Sequence, residues 1–190
     1  DRRAIPVAAE LIRKNESPGL TLAAVEVLVD LNASGEAALC LELARQEIGP
    51  ISHAAAAAAV KLGAGREAAQ LVAERFRDGA EFKKRLYVGA LGSIGREAEA
   101  ELLAAADAYG GDVAAAVCAV LSPESPSAVE WLRRTALSDT GFEPAASAIE
   151  ALGRKPAEHR EIFGQIVNSA RPARVRAAAL VQLGRSFTPA

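Results

Sequence analysis

The chain has 190 residues, is 51% hydrophobic but only 4% aromatic, contains no methionine, and carries a formal charge of -2 with a pI near 5.8. That apolar content is enough for a buried core and excludes wholesale disorder, while the near balance of charge excludes a sequence-wide attraction to nucleic acid or anionic lipid. No run reaches the roughly 18 uninterrupted apolar residues of a membrane span, and the first residues, DRRAIPVAAELIRKN, lack the order of a signal peptide.

The first helix is predicted over residues 5–14, broken by the turn NESPG at 15–19. Helices follow near 20–31, 35–47, 51–62, 66–77, 81–92, 96–108, 112–121, 126–137, 143–152, 157–169 and 172–183. Their joints hold Gly49-Pro50, Asp78-Gly79, Gly110-Gly111, Thr140-Gly141 and Arg171-Pro172, which are turn pairs or helix-start prolines. Within these segments apolar residues recur three and four apart, as in Ala145, Ala148, Ile149 and Leu152, the spacing of a helix with one buried face. The run Ala54 to Ala59 has no polar face, which predicts burial between neighbouring helices where only a methyl fits. No segment alternates apolar and polar residues between turn pairs, so no sheet is expected.

One landmark recurs through this order: a Leu followed by Gly, Asn or Ser at the end of an alanine-rich helix. It occurs at Leu31-Asn32, Leu62-Gly63, Leu91-Gly92, Leu121-Ser122, Leu152-Gly153 and Leu183-Gly184, in steps of 31, 29, 30, 31 and 31 residues. A constant step near 30 marks a structural repeat of two helices, so twelve helices form six hairpins. At the landmark the Gly or Asn is expected to stop the helix by taking the left-handed conformation that other residues resist. Glu36, Glu67, Glu97 and Glu158 then open the next helix, at the positive end of its dipole. No flexible linker interrupts the array. Residues 1–190 therefore read as one continuous domain of an all-α solenoid, expected to be a fragment of a larger protein because the chain begins without methionine and ends on SFTPA.

The segments ALGSIGREAEAELL and PARVRAAALVQLGR resemble the short HEAT-like repeats of the phycobilin-lyase type, with Pro172, Val175, Arg176, Ala178, Leu180 and Leu183-Gly184 in the matching places. The other four copies keep the alanines and the terminal Leu but lose the Val-Arg pair. The resemblance implies a right-handed, armadillo-like superhelix whose second helices line a concave, protein-binding face, and a bacterial type of protein. The same family includes bilin-lyase-like chaperone enzymes, which need ring-stacking aromatics on that face. Only Tyr87, Tyr109 and Phe82 are placed to supply them.

Residues that could carry chemistry are sparse. His53 and His159 have no His or Cys at ligand spacing, and the chain has no His-Glu dipeptide, phosphate loop, Gly-x-Ser-x-Gly or Cys/His pairing. No catalytic residue, metal site or cofactor is therefore expected, and the chain reads as a non-enzyme. Cys40 and Cys118 lie inside helical patterns and read as buried reduced thiols, in keeping with a cytoplasmic protein. Trp131 reads as a buried anchor on the first helix of its hairpin.

The sharpest candidates are basic. Lys83, Lys84 and Arg85 open the helix of the third landmark, and Arg171, Arg174 and Arg176 that of the sixth. Lys84 and Arg176 both lie eight residues before their landmark glycine, where stacked repeats would align them for an acidic partner or, less favoured, for nucleic-acid phosphates. The structural alternative is a bond to a neighbouring repeat. From Ala151 onward seven Lys and Arg face two acids, so this end either docks an acidic surface or continues into further repeats. The expected function is a scaffold that binds another protein, or another domain of its own protein, with no membrane and no nucleic acid required.

Overall fold

In the computed structural model of the chain, residues 1–46, 49–78, 84–139 and 141–187 are described. They form twelve α-helices and no strand: α1 Ala4–Lys14, α2 Pro18–Asp30, α3 Ala37–Gln46, α4 Pro50–Lys61, α5 Gly65–Asp78, α6 Lys84–Ile94, α7 Glu99–Tyr109, α8 Gly111–Val120, α9 Pro126–Leu137, α10 Phe142–Leu152, α11 Arg160–Val167 and α12 Ala173–Arg185. The all-α reading holds, with each predicted segment at its place. Short 3-10 turns precede α3, α7 and α11 and contain Glu36, Glu97 and Glu158, while Glu67 lies in the first turn of α5 itself.

Two of the six landmarks end their helices as the sequence predicts. Asn32 has φ 48° and Gly63 φ 98°, both left-handed. The amides of Asn32 and Ala33 then return to the carbonyls of Val29 and Leu28, and those of Gly63 and Ala64 to Val60 and Ala59, which satisfies the last-turn acceptors in a Schellman arrangement. Elsewhere the left-handed reading is corrected. α6 continues through Gly92 to Ile94 and turns at Gly95 (φ 81°), α12 continues through Gly184 to Arg185, Gly153 caps α10 at φ −67°, and α8 ends on an extended Leu121. At two of these positions packing is the reason for glycine. A Cβ on Gly92 would sit 2.5 Å from Cβ of Val120, and one on Gly153 would meet the amide of Gln182. Val120 and Gln182 each stand two residues before the following landmark, so glycine lets one hairpin lean on the next at a repeated point.

The chain folds as two compact units, Asp1–Gly79 and Ala80–Ala190, where the sequence reads as one continuous array. The boundary falls within residues 79–83, which lie outside the described residues. Inside each unit the helices stand in two rows. In the first unit α2 packs on α4, and α1, α3 and α5 follow one another in the second row. In the second unit α6, α8, α10 and α12 form one row, and α7 packs on α9 in the other. Every substantial helix pair is one or two places apart in sequence, so the core is a seam between rows rather than a central cluster. Leu28, Cys40, Ala55, Ala59 and Ala69 fill it in the first unit, and Leu91, Leu132, Ile149, Leu152 and Phe163 in the second, each fully buried. The alanine run behaves as expected: α4 touches α2, α3 and α5, and Ala55, Ala56, Ala58 and Ala59 are buried while Ala57 is exposed.

Arginines join successive repeats. Arg75 donates to Arg45 O at 2.8 Å and to Ser52 Oγ at 2.6 Å, and Ser52 itself donates to Ala44 O. Arg154 donates to Leu121 O at 2.7 Å and to Ala119 O; Arg171 donates to Ala136 O at 2.7 Å and to Leu137 O. In each case a guanidinium reaches the carbonyl end of a helix 30 to 35 residues upstream. Those carbonyls have no intrahelical donor and carry the negative end of the helix dipole, which a fixed cation satisfies in both respects.

Candidate functional site

The even-numbered row of the second unit presents a concave surface between two helices. Ala115 and Ala116 on α8 face Ala146 and Ser147 on α10, and these short side chains leave a trough of about 460 Å³ between the helices. Glu143 and Glu150, both exposed, stand on its α10 side. Phe142 closes one end at 42% exposure, and the guanidinium of Arg174 from α12 lies 5.9 Å from its ring centroid. A shallow small-residue floor, one acidic wall on α10 and an aromatic beside an arginine suit a helical or extended peptide with small apolar and basic side chains.

Of the basic residues singled out from the sequence, Lys84, Arg171, Arg174 and Arg176 have described side chains. Lys83 lies outside the described residues, as does the side chain of Arg85. Lys84, read from the sequence either as part of a partner-facing ladder or as a contact to a neighbouring repeat, is 7% exposed, with its ammonium 3.6 Å above the Tyr109 ring. Arg176, at the equivalent position, is exposed on α12, so the two do not form one patch. Burial of Lys84 follows from its place in the repeat: its counterparts Ala24, Ala55, Ala114 and Ala145 are all buried, and the lysine stem occupies the same seam. Of these residues, Arg174 alone is seen beside the trough. Among the bilin-stacking candidates, Tyr109 is occupied by Lys84, Tyr87 is half-buried and Phe82 is outside the described residues.

A second groove, about 640 Å³ and open, runs between α9 and α11 past Glu130, Arg133, Leu137, His159 and Ile162. His159 is 3% exposed, and neither ring nitrogen has a hydrogen-bond partner. Burial above all, then the charges of Arg133 and Lys155 against an opposing pull from Glu158, hold its pKa below the ordinary value. Trp131 is buried as expected, and its Nε1 donates to Asp107 at 2.8 Å, a carboxylate that Arg134 also reaches. Both thiols are free and buried; desolvation pushes Cys40 up to about 11 and Cys118 up to about 12. Among the described residues no group of three or more His, Cys, Asp or Glu stands as a metal-ligand set, and no helix is long and apolar enough to cross a membrane.

The sequence reading named Arg171 among its basic candidates but did not foresee the bonds of Arg75, Arg154 and Arg171, and it missed Phe142. Arg75, Arg154 and Arg171 occupy unrelated places in their repeats, so no periodic signal distinguishes them from surface arginines. Comparison with known proteins returns no matching family model, no matching curated protein and no matching solved structure.

Proposed function

We propose that this chain is a HEAT-like helical-repeat scaffold, an α-solenoid, that binds another protein on its even-helix row without catalysing a reaction. The observation that carries the reading is the trough between α8 and α10, with the Phe142 and Arg174 pair at its end, on the row that the family resemblance makes the binding face. Helices held by arginine-to-carbonyl bonds present this surface already ordered, so a partner loses little free energy to loop ordering on binding. The acidic α10 wall favours a segment bearing lysine or arginine.

The test compares partners captured from the source cell by the wild type and by two variants. Ala146→Arg fills the trough, and Phe142→Ala removes its aromatic end. Partners held by the wild type and lost by both variants, with helical circular dichroism unchanged, support the reading. Identical capture by all three proteins refutes it.

A further inference from the structure

The groove between α9 and α11 lies where the preceding pair of odd helices is braced. Between α7 and α9, Trp131 Nε1 donates to Asp107 at 2.8 Å, and the guanidinium of Arg134 reaches the same carboxylate. Trp131 and Arg134 stand nine and twelve residues after the glycine or serine of one landmark, and Asp107 fifteen after that of the landmark before it. One repeat on, the same three places hold Ile162, Gln165 and Leu137, and all three line the groove. Isoleucine spans less distance than an indole and donates no hydrogen bond, and a leucine side chain accepts none, so this pair cannot form that brace. In its place is an open space of about 640 Å³ beside two aliphatic side chains, with Leu137 39% exposed.

His159, in the same groove, also departs from its repeat. Six residues after the three preceding landmarks stand Ala69, Ala98 and Ala128, each 0% exposed. Ala98 and His159 both close the 3-10 turn that precedes their helix, so the backbone places them alike. The chain thus sets an imidazole where a methyl fills the other repeats, at 3% exposure and with neither ring nitrogen hydrogen-bonded. A polar group left unpaired at such depth costs free energy, and no bond within the chain offsets it. The charges acting on the ring are Arg133 on α9 and Lys155 and Glu158 in the turn, of which Lys155 and Glu158 lie 3.9 Å from each other. With burial as the largest influence the ring is held neutral, and it then offers one N–H and one lone pair. The two walls differ in sign. On α9, Arg133 and Arg134 outnumber Glu130, whereas the α11 side brings Glu158 and Glu161 and no base.

We propose that this groove receives a single amphipathic helix of another protein, which lays aliphatic residues on Leu137 and Ile162, sets an uncharged donor-acceptor side chain over His159, and turns an acidic edge to Arg133 and a basic edge to Glu161. The occupant is a helix because two helices side by side offer walls of side chains and no free main-chain edge. Its residues recur three and four apart, as do Arg133 and Leu137 on α9 and Glu158, Glu161 and Gln165 on the other wall. The incoming helix does between α9 and α11 what Trp131 does between α7 and α9. This site is separate from the trough between α8 and α10 and does not depend on it.

A displayed library of helical peptides, selected on the Ala146→Arg variant so that the trough is already filled, tests this. The expected binders carry serine, threonine, asparagine or glutamine between aliphatic residues, with acids along one edge and bases along the other. Their affinity for the chain should fall about tenfold with His159→Ala, the effect of one buried polar group left unpaired, and at least as far with Glu161→Arg. Phe142→Ala should leave it unchanged. His159→Ala installs the residue that three other repeats bury, and Glu161 is exposed, so both variants should keep the helical circular dichroism. Binding should also move the nitrogen NMR signals of the His159 ring, which a histidine of purely structural role would not show. Recovery of no binder, binders indifferent to His159→Ala and Glu161→Arg, binders weakened by Phe142→Ala instead, or ring signals that stay in place would each overturn the proposal.

Discussion

Gly92 and Gly184 occupy the same place in their repeats, yet alanine should act on them with opposite sign. Both are helical, so alanine gains about 0.5–1 kcal/mol of intrinsic helix preference at either site. At Gly184 nothing opposes that gain, because no atom lies within 4 Å of the added Cβ. At Gly92 the new Cβ would stand 2.5 Å from Cβ and 2.9 and 3.0 Å from the methyls of Val120. Ordinary carbon contacts are about 3.5–4.0 Å, so α6 and α8 must separate by roughly 1 Å. Overpacking of this kind costs about 1–3 kcal/mol, which outweighs the propensity gain. Gly184→Ala should therefore be stabilised by about 0.5–1 kcal/mol and Gly92→Ala destabilised by about 1–2. For a chain of this size each kcal/mol moves the thermal midpoint by roughly 2–4 °C. Thermal and urea unfolding, followed by circular dichroism at low protein concentration, reads both variants. Val120→Gly reopens the space and should recover at least about 1 kcal/mol in a double-mutant cycle with Gly92→Ala. If Gly92→Ala is stabilising like Gly184→Ala, or additive with Val120→Gly, the close approach of α6 and α8 is refuted.

Three further outcomes follow from the same geometry. Arg171→Ala leaves the carbonyls of Ala136 and Leu137 without their donor and should cost about 1–3 kcal/mol in urea unfolding, while Asp139→Ala, at a carboxylate 98% exposed, should cost under about 0.5. Equal costs would show that the ion pair, rather than the helix end, is what Arg171 serves. At pH 8 both thiols should resist Ellman's reagent in the folded protein and react fully in urea, since the folded state raises both pKa values from 9.0; rapid labelling of either without denaturant contradicts their burial. His159 titrates below its ordinary 6.5 in the folded chain, so the stability due to its neutral form is complete above that pH and is lost as pH falls through the lower folded value. The thermal midpoint should drop between pH 7 and pH 5, and His159→Leu should flatten that drop without loss at pH 7, because neither nitrogen has a partner to forfeit. A variant with the wild-type pH profile would remove His159 from the account.

The landmark shows how one sequence signal can have several structural causes. Its spacing of about 30 residues correctly marked the rhythm of helices, because glycine, asparagine and serine are tolerated at the ends and close approaches that each hairpin repeats. It could not say which cause applied. Asn32 and Gly63 are there for a left-handed backbone, and Gly92 and Gly153 for the proximity of a helix a full repeat away. The register of the basic candidates is ambiguous in the same way: Lys84 and Arg176 share a place in the repeat, but one is buried and the other exposed.

Among the described residues the helical class and the order of helices were legible in the sequence alone, since periodicity, turn pairs and alanine content act through local backbone preference and short-range burial. Three matters were decided only by tertiary structure: which arginines close helix ends, that His159 is buried with neither ring nitrogen hydrogen-bonded, and that Leu180 is exposed where its five counterparts, four residues before the other landmarks, are buried. Each depends on residues about 30 positions or more apart meeting in space, or failing to meet, and a linear pattern holds no record of that distance.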